Sequence, residues 1–374
     1  MPYDHVQVSG SAFERGRAYG AAARARVQRS LEGYERAFAA HAGWSWARAR
    51  TAAERYLPAL TTHAPGCLDE MAGIAAGAGV EPEDIVTLNA RTEVMAAAWV
   101  REGLAARATD GCSGLALLPS RTASGHTLVG QNWDWLVHVT DTVVVLEARQ
   151  DGDAPNYVTA VEAGLLAKTG MNAHGLGLCT NFLLTPGDDG APGVPYHVTL
   201  RLLLDCASVA EARALLDELP RSSSANYLLA DPHDGGHAVD VEAIPGGPEG
   251  LHDLAPVDGF VGHTNHFRAA AVTGLDAGGS LMPSSPLRLR RLTTLVGAHE
   301  GPVDEDVVRA AFADHDNFPN AVCCHPDPDL DEADRDVTAV SILMDLDERR
   351  VSLADGNPCT TPYRTLDYSG LLSI

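Results

Sequence analysis

The texture of the chain changes at Gly111, and that change restricts the folds open to it. Residues 11–99 are rich in alanine and carry apolar side chains at helical spacing, which predicts helices over 13–29, 44–57, 67–78 and 83–98, with Pro58, Pro65 and Pro82 as breaks. From Gly111 onward short β-type runs take over, at 113–118, 127–132, 142–148, 157–162 and 175–182, separated by Gly, Pro and Asp. Helical patterns at 196–206 and 209–219 follow, then strand patterns at 225–230, 237–242 and 260–264. Helices are expected again at 285–299 and 304–314, before a closing hairpin of 337–345 and 350–354. This order predicts an α+β architecture, two sheets packed on each other with helices outside. The Gly/Pro/Asp-rich stretches 186–195, 245–259 and 274–286 read as surface loops, because strand patterns continue on both sides of them.

At 374 residues, 45% of them hydrophobic, the chain is long enough to bury a large core. Fifty acidic against 27 basic residues leave a formal net charge of −23, with no Lys/Arg cluster to track phosphates. That argues against nucleic acid, against anionic membranes and against a polyanionic ligand such as a CoA thioester. Met1-Pro2-Tyr3-Asp4-His5 has no basic or apolar leader character, and no run approaches the ~18 apolar residues of a membrane span. The expected location is cytoplasmic. The seven cysteines, at 67, 112, 179, 206, 323, 324 and 359, are an odd and scattered set, as expected of reduced thiols rather than a disulfide framework.

Cys112 stands directly after Gly111 at the head of the first expected strand. A thiol there can attack the carbonyl of its own preceding residue, and a glycine offers that attack little obstruction and tolerates a strained backbone. Cleavage would expose an α-amine, of unperturbed pKa ~7.7–8.0, able to take the thiol proton near neutral pH. Spacing alone leaves a second reading open, a buried structural cysteine at a strand start.

A set of motifs bears on that choice. Asp110-Gly111-Cys112 is followed by Gly130-Gln131-Asn132-Trp133-Asp134-Trp135, Lys168-Thr169-Gly170-Met171-Asn172, Thr180-Asn181-Phe182, Gly193-Val194-Pro195 and His263-Thr264-Asn265-His266. Upstream lies Gly10-Ser11-Ala12-Phe13-Glu14-Arg15-Gly16-Arg17-Ala18-Tyr19-Gly20. In content and order this set resembles the acyl-coenzyme A:6-aminopenicillanate acyltransferase family of cysteine N-terminal-nucleophile hydrolases, from residue 10 to about residue 355. The resemblance implies a four-layer αββα sandwich with an N-terminal helical segment. It also implies a precursor that splits into residues 1–111 and 112–374, with the two fragments remaining associated.

The same resemblance implies roles. Cys112 would be the nucleophile, and Asp134 would hold the Cys112 amine or thiol by charge-assisted bonding. Asn265 would offer its side-chain amide to the oxyanion, where one such donor is worth roughly 10²–10³ in rate. The Phe182 N–H, following Asn181, would be a second donor. Asp110 and Gly111 flank the scissile bond. Trp133, Trp135 and Arg335 are candidate substrate-binding residues, with Phe182, Leu183 and Leu184 able to line an acyl pocket. Cys324 stands where relatives tend to have arginine. Glu14 is a lesser candidate.

His263 and His266 have H-x-x-H spacing, and Cys323-Cys324-His325 could be imagined completing a zinc site. Two adjacent cysteines are awkward as a tetrahedral pair, so the histidines read instead as neighbours of Asn265, with no metal and no cofactor expected. The expected function is a self-processing amidohydrolase acting on linear amide bonds of a small N-acyl amide. Two alternatives stand beside it: an acyltransferase that passes the acyl group to an acceptor amine of a specialised metabolite, and a catalytically silent binding protein of the same fold.

Overall fold

The helical front of the chain begins with a strand. In the computed structural model, which describes residues 3–102 and 111–373, Asp4–Gly10 forms β1, and Val6 and Val8 are its buried face. The alternation is only two residues deep, and its partner lies some 140 residues downstream, so local patterning does not reveal it. The segment 1–111 is therefore not wholly helical, a correction to the sequence expectation.

Among the described residues seven α-helices follow: α1 (Ala12–Ala22), α2 (Arg24–Ala42), α3 (Trp46–Ala53), α4 (Leu57–His63), α5 (Pro65–Ala78), α6 (Pro82–Asn89) and α7 (Arg91–Glu102). Pro58, Pro65 and Pro82 sit in the first turns of α4, α5 and α6, where a missing N–H costs nothing, so each starts a helix as well as ending the one before. Ser11 caps α1 through a capping box, accepting from the Glu14 backbone N–H while the Glu14 carboxylate accepts from Ser11 N at 3.0 Å and Oγ at 2.8 Å. Glu14 thus serves as a helix cap.

Gly16 and Gly20 on α1 face Gly73 and Gly77 on α5 across a backbone-to-backbone crossing. A Cβ built on Gly16 would lie 2.0 Å from the Glu70 carbonyl oxygen, and one on Gly20 would lie 2.1 Å from that of Ile74. Reciprocally, one on Gly73 would meet the Phe13 carbonyl oxygen at 2.2 Å and one on Gly77 that of Arg17 at 2.1 Å. No side chain fits there without parting the helices.

The strands after Gly111 are β2 (Ser113–Leu117), β3 (Leu128–Leu136), β4 (Val143–Gln150), β5 (Tyr157–Glu162), β6 (Thr169–Asn172) and β7 (Gly177–Phe182). Helices α8 (Tyr196–Leu203) and α9 (Val209–Glu218) lead to β8 (Ala225–Asp231), β9 (His237–Ala243), β10 (Leu251–Leu254) and β11 (Phe260–His263). Then come α10 (Gly278–Leu281), α11 (Ser285–Leu292) and α12 (Glu305–Phe312), and finally β12 (Asp336–Asp345), β13 (Arg350–Ala354) and β14 (Arg364–Asp367). Among the described residues these strands form an eight-stranded sheet, β1-β4-β5-β6-β7-β8-β9-β10, and a six-stranded sheet, β11-β2-β3-β12-β13-β14. β1 pairs parallel with β4, and the other pairs are antiparallel.

Strand alternation sets the layers. On β3, Gln131 points at the eight-stranded sheet, its Oε1 accepting from Thr180 N at 2.9 Å and Thr169 Oγ1 at 2.8 Å. Asn132 points the other way, donating to the carbonyls of Phe312 at 2.8 Å and Val322 at 2.7 Å. On that outer side Leu115, Leu117, Leu128 and Leu343 pack with Leu292, Val308 and Phe312 of α11 and α12. On the far side of the eight-stranded sheet, Tyr19 of α1 donates its hydroxyl to the Glu162 carbonyl at 3.2 Å, and α9 packs on β8 and β9. The result is a four-layer αββα sandwich.

Gly20→Ala is expected to lower stability by at least the ~1–3 kcal/mol of an overpacked core, because the atoms it meets are backbone. A reduced midpoint in chemical unfolding, with near-native secondary structure by circular dichroism, checks this.

Candidate active site

Cys112 immediately precedes β2, and the register Ser113↔Asn132 decides where it points. Ser113 shares the outer face with Asn132, so Cys112 shares the inner face with Gln131 and Trp133, between the sheets. The thiol is buried, 4% exposed, with Sγ 3.8 Å from the Asp134 carbonyl oxygen.

Two side chains from different elements converge on the Cys112 carbonyl, and one of them also holds Asn265. Asn181 of β7 donates Nδ2 to the Cys112 carbonyl at 2.8 Å, and Arg288 of α11 donates to that oxygen at 2.8 Å and to Ser113 Oγ at 2.9 Å. The other Arg288 nitrogen donates to Asn265 Oδ1 at 3.0 Å. Arginine can only donate, so this contact fixes which end of the Asn265 amide is oxygen. Asn265 Nδ2 then faces the Phe182 carbonyl at 2.9 Å, while its backbone N–H donates to Ser285 Oγ at 2.7 Å. Gly111 lies directly against this amide. A Cβ built on it would sit 2.4 Å from Asn265 Oδ1 and 2.5 Å from Nδ2, so the residue before Cys112 must be glycine for Asn265 to approach the Gly111–Cys112 peptide.

A strand residue presents its N–H and C=O on one edge. With the Phe182 carbonyl aimed at Asn265, the Phe182 N–H lies on that edge as well. The neighbouring Asn181 backbone N–H is taken by the Asn226 side chain, and Asn226 Nδ2 donates to Asp240 Oδ1 at 2.5 Å.

Asp134 points to the outer face of β3, where its Oδ1 accepts from Thr338 Oγ1 at 2.5 Å. Thr338 Oγ1 in turn accepts from the Cys324 N–H at 2.9 Å. The group bonded to the thiol is thus the Asp134 carbonyl, whereas its carboxylate is oriented by Thr338 and acts on Cys112 through space. Burial pushes the Cys112 thiol above its ordinary pKa, against the pull of the Lys168 ammonium and with the Asp134 carboxylate adding to the rise. Lys168 is itself buried, and burial lowers its pKa against the opposing field of Cys112. Its Nζ lies 3.3 Å from Tyr196 Oη and 5.7 Å from the centre of the Trp133 ring.

The other expected residues are dispersed. Trp135 donates Nε1 to Tyr34 Oη at 2.9 Å, and Tyr34 donates to Glu162 at 2.7 Å beside the Arg91–Glu162 ion pair of 2.5 Å. Trp135 therefore ties the helical front to the sheets. The Arg335 guanidinium is engaged by the carbonyls of Leu330 at 2.9 Å and Pro328 at 3.2 Å on its own loop, so the arginine that reaches Cys112 is Arg288. The Phe182 ring meets Trp99 edge-on at 6.3 Å, Leu183 packs with Phe267 and Val272, and Leu184 is buried. Asp110 lies outside the described residues.

His263 and His266 surround Asn265. His263 has an acceptor at each ring nitrogen, the Thr264 carbonyl at 2.6 Å and Glu242 Oε1 at 2.8 Å, so both nitrogens carry protons. Burial opposes that charge, but Asp240 and Glu242 outweigh it and raise the His263 pKa, while burial lifts the Asp240 carboxyl to about 6. His266 Nδ1 lies 2.7 Å from the Ser285 hydroxyl that receives the Asn265 N–H. Neither histidine joins Cys323 and His325, which gather instead with His315 and Cys359.

Sequence reasoning missed Arg288, Lys168, Asn226 and Thr338. Lys168 stands in one of the motifs without having been given a role, and Arg288 left a signal of another kind: Ser285, Arg288 and Leu292 recur at i, i+3 and i+7 and are all buried, which puts an arginine on the core face of a helix.

Residues 120–359 match the sequence profile of acyl-coenzyme A:6-aminopenicillanic acid acyl-transferase, a span that includes Asp134, Asn181, Asn265 and Arg288. The 40 kDa form of acyl-coenzyme A:6-aminopenicillanic-acid-acyltransferase from Emericella nidulans is 27% identical over 325 residues, covering 85% of this chain and 84% of its own. Among solved structures, penicillin V acylase from Agrobacterium tumefaciens is 19% identical, covers 70% of this chain and 88% of its own, and gives a TM-score of 0.46. A mutant conjugated bile acid hydrolase from Clostridium perfringens is 15% identical, covers 69% of this chain and 93% of its own, and gives a TM-score of 0.48. The profile match takes in more than half of the chain, which therefore belongs to the acyl-coenzyme A:6-aminopenicillanic acid acyl-transferase family.

Proposed function

We propose that the chain cuts itself between Gly111 and Cys112 and then acts as a cysteine amidohydrolase on small N-acyl amides. The observation that carries this reading is a buried thiol whose own carbonyl is held by Asn181 and Arg288, while the Asn265 amide, fixed by Arg288, lies against Gly111 on the other side of the Gly111–Cys112 bond. In the first step the Cys112 sulfur adds to the Gly111 carbonyl, the C–N bond breaks and the nitrogen takes the thiol proton. Water then hydrolyses the Gly111 thioester, leaving a carboxylate on Gly111 and a free thiol and α-amine on Cys112. In turnover the freed amine accepts the thiol proton, the sulfur attacks the substrate amide, and Asn265 Nδ2 with the Phe182 N–H stabilises the oxyanion. The amine product leaves with the proton from the α-ammonium, and water releases the acyl group.

The first fragment supplies β1 to the eight-stranded sheet and the α1–α5 crossing, which supports continued association after the cut. No helix of the described residues is long and apolar enough to cross a membrane, in keeping with a cytoplasmic protein. A second reading, transfer of the acyl group to an amine, is favoured by the name of the Emericella relative and uses the same residues. The net charge of −23 favours water and neutral amides over a CoA-linked donor.

Intact-mass spectrometry of the wild type is expected to give two fragments meeting at Gly111/Cys112, and Cys112→Ala one uncut chain. A wild-type chain that stays whole would falsify self-processing. Asn265→Ala is expected to lose roughly 10²–10³ in turnover of an N-acyl amide, measured on whatever fraction is processed. The pH dependence follows from the raised thiol pKa. The thiolate fraction grows as pH rises, so processing accelerates from neutral into alkaline pH. Lys168→Met removes the charge that restrains the rise and slows processing near neutrality, about tenfold per pKa unit, read as the rate of fragment appearance against pH.

A further inference from the structure

We propose that His315, Cys323, His325 and Cys359 form a structural zinc site that fastens the α12–β12 connection to the β13–β14 connection. His315 follows α12, Cys323 and His325 lie on the segment leading to β12, and Cys359 lies on the connection between β13 and β14. One ligand atom from each falls within 4.8 Å of all the others. The imidazole Nε2 atoms of His315 and His325 are 3.0 Å apart, and the two sulfurs 3.6 Å. His325 Nε2 lies 3.5 Å from the Cys323 sulfur and 3.4 Å from that of Cys359.

These four separations are close to edges of a metal-centred tetrahedron. Zn–S bonds of about 2.3 Å and Zn–N bonds of about 2.0–2.1 Å put sulfurs about 3.8 Å apart, nitrogens about 3.3 Å apart and mixed pairs about 3.6 Å apart. Two imidazoles and two thiols are the donor set of tetrahedral zinc, and four protein ligands leave no open position, as in a structural site. The objection that adjacent cysteines make a poor pair disappears, because the ligands are residues 323 and 325, whose side chains share one side. Cys324 alternates away, its backbone bonded to Thr338.

Two N–H donors face the Cys323 sulfur. Asn357 donates Nδ2 to the Cys323 sulfur at 3.4 Å and to the Cys324 carbonyl at 2.6 Å, and the Cys359 backbone N–H also faces that sulfur. The Phe318 ring lies beside both imidazoles, with centroids 5.3 Å from His325 and 6.2 Å from His315. The site also has a path to the chemistry. Cys324 N–H donates to Thr338 Oγ1, which donates to Asp134, so a cation holding the 323–325 segment fixes the orientation of that carboxylate. The metal here positions and does not touch substrate.

The test is metal analysis of the full-length protein purified under reducing conditions, with zinc uptake by the chelator-stripped protein followed by competition with a chromophoric chelator. About one zinc per chain is expected, with Co²⁺ replacing it to give the visible bands of tetrahedral thiolate–imidazole coordination. Cys359→Ser and His315→Ala, both at exposed loop positions, are each expected to abolish stoichiometric binding. Stripping zinc from the wild type is expected to lower its melting midpoint, and returning zinc to restore it, a readout that needs no variant. Reduced protein that neither carries nor takes up zinc overturns the proposal. So does full zinc retention by Cys359→Ser, or a Cys323–Cys359 disulfide as the native state of the pair.

Discussion

The Cys112 carbonyl accepts hydrogen bonds from Asn181 on the eight-stranded sheet and from Arg288 on the helix outside the six-stranded sheet, and this shared acceptor locks the site together. It lies where the two sheets and one outer helix meet. Arg288 is 1% exposed, and an arginine so deeply buried is tolerable only when its donors are matched. They are met by the Cys112 carbonyl, Ser113 Oγ, Asn265 Oδ1 and Ser284 Oγ. Asn265 cannot rotate without breaking the contact with Arg288, nor Arg288 move without releasing the Cys112 backbone. Preorganisation here follows from the cost of leaving a buried polar group unmatched.

The same logic extends outward through rings of buried polar groups. Asn181 is held through Asn226 and Asp240, Asn265 through Ser285 and the protonated His263 beside Glu242, and Asp134 through Thr338 and Cys324. The helical front enters by a different device. Four glycines let α1 and α5 pack backbone to backbone, while Tyr34, Arg91 and Glu162 bind the helices to β3 and β5. Because β1 is an edge strand of the sheet that holds Asn181, the front is part of the catalytic fold and not an appendage.

The strands with strong local alternation were legible from sequence. The expected 157–162 is β5 without change, and β2, β8 and β13 differ by no more than a residue at an end. The strands β1, β6, β10 and β14 were not foreseen: β6, β10 and β14 are four residues each, and β1 buries only Val6 and Val8, so each is made a strand by its partner. The expected helix 13–29 is two helices meeting at Ala23, the second running to Ala42, because alanine-rich sequence marks helices well and their joints poorly. Within the site, Cys112, Asp134 and Asn265 could be named from their motifs. Thr338 and Asn226 are unremarkable in any linear reading, since a threonine or asparagine in a strand acquires its meaning from what lies across the sheet.

The linear chain alone establishes the change from helix to strand at Gly111, the acidic character and the order of motifs that marks the family. These properties are local or additive, so reading residue by residue captures them. Folding in three dimensions settles which arginine meets Cys112, which face of β2 carries its thiol and which cysteines and histidines come together. Strand register made those choices: a shift of one residue reverses every side chain on a strand, and register is set by packing between segments far apart in the chain.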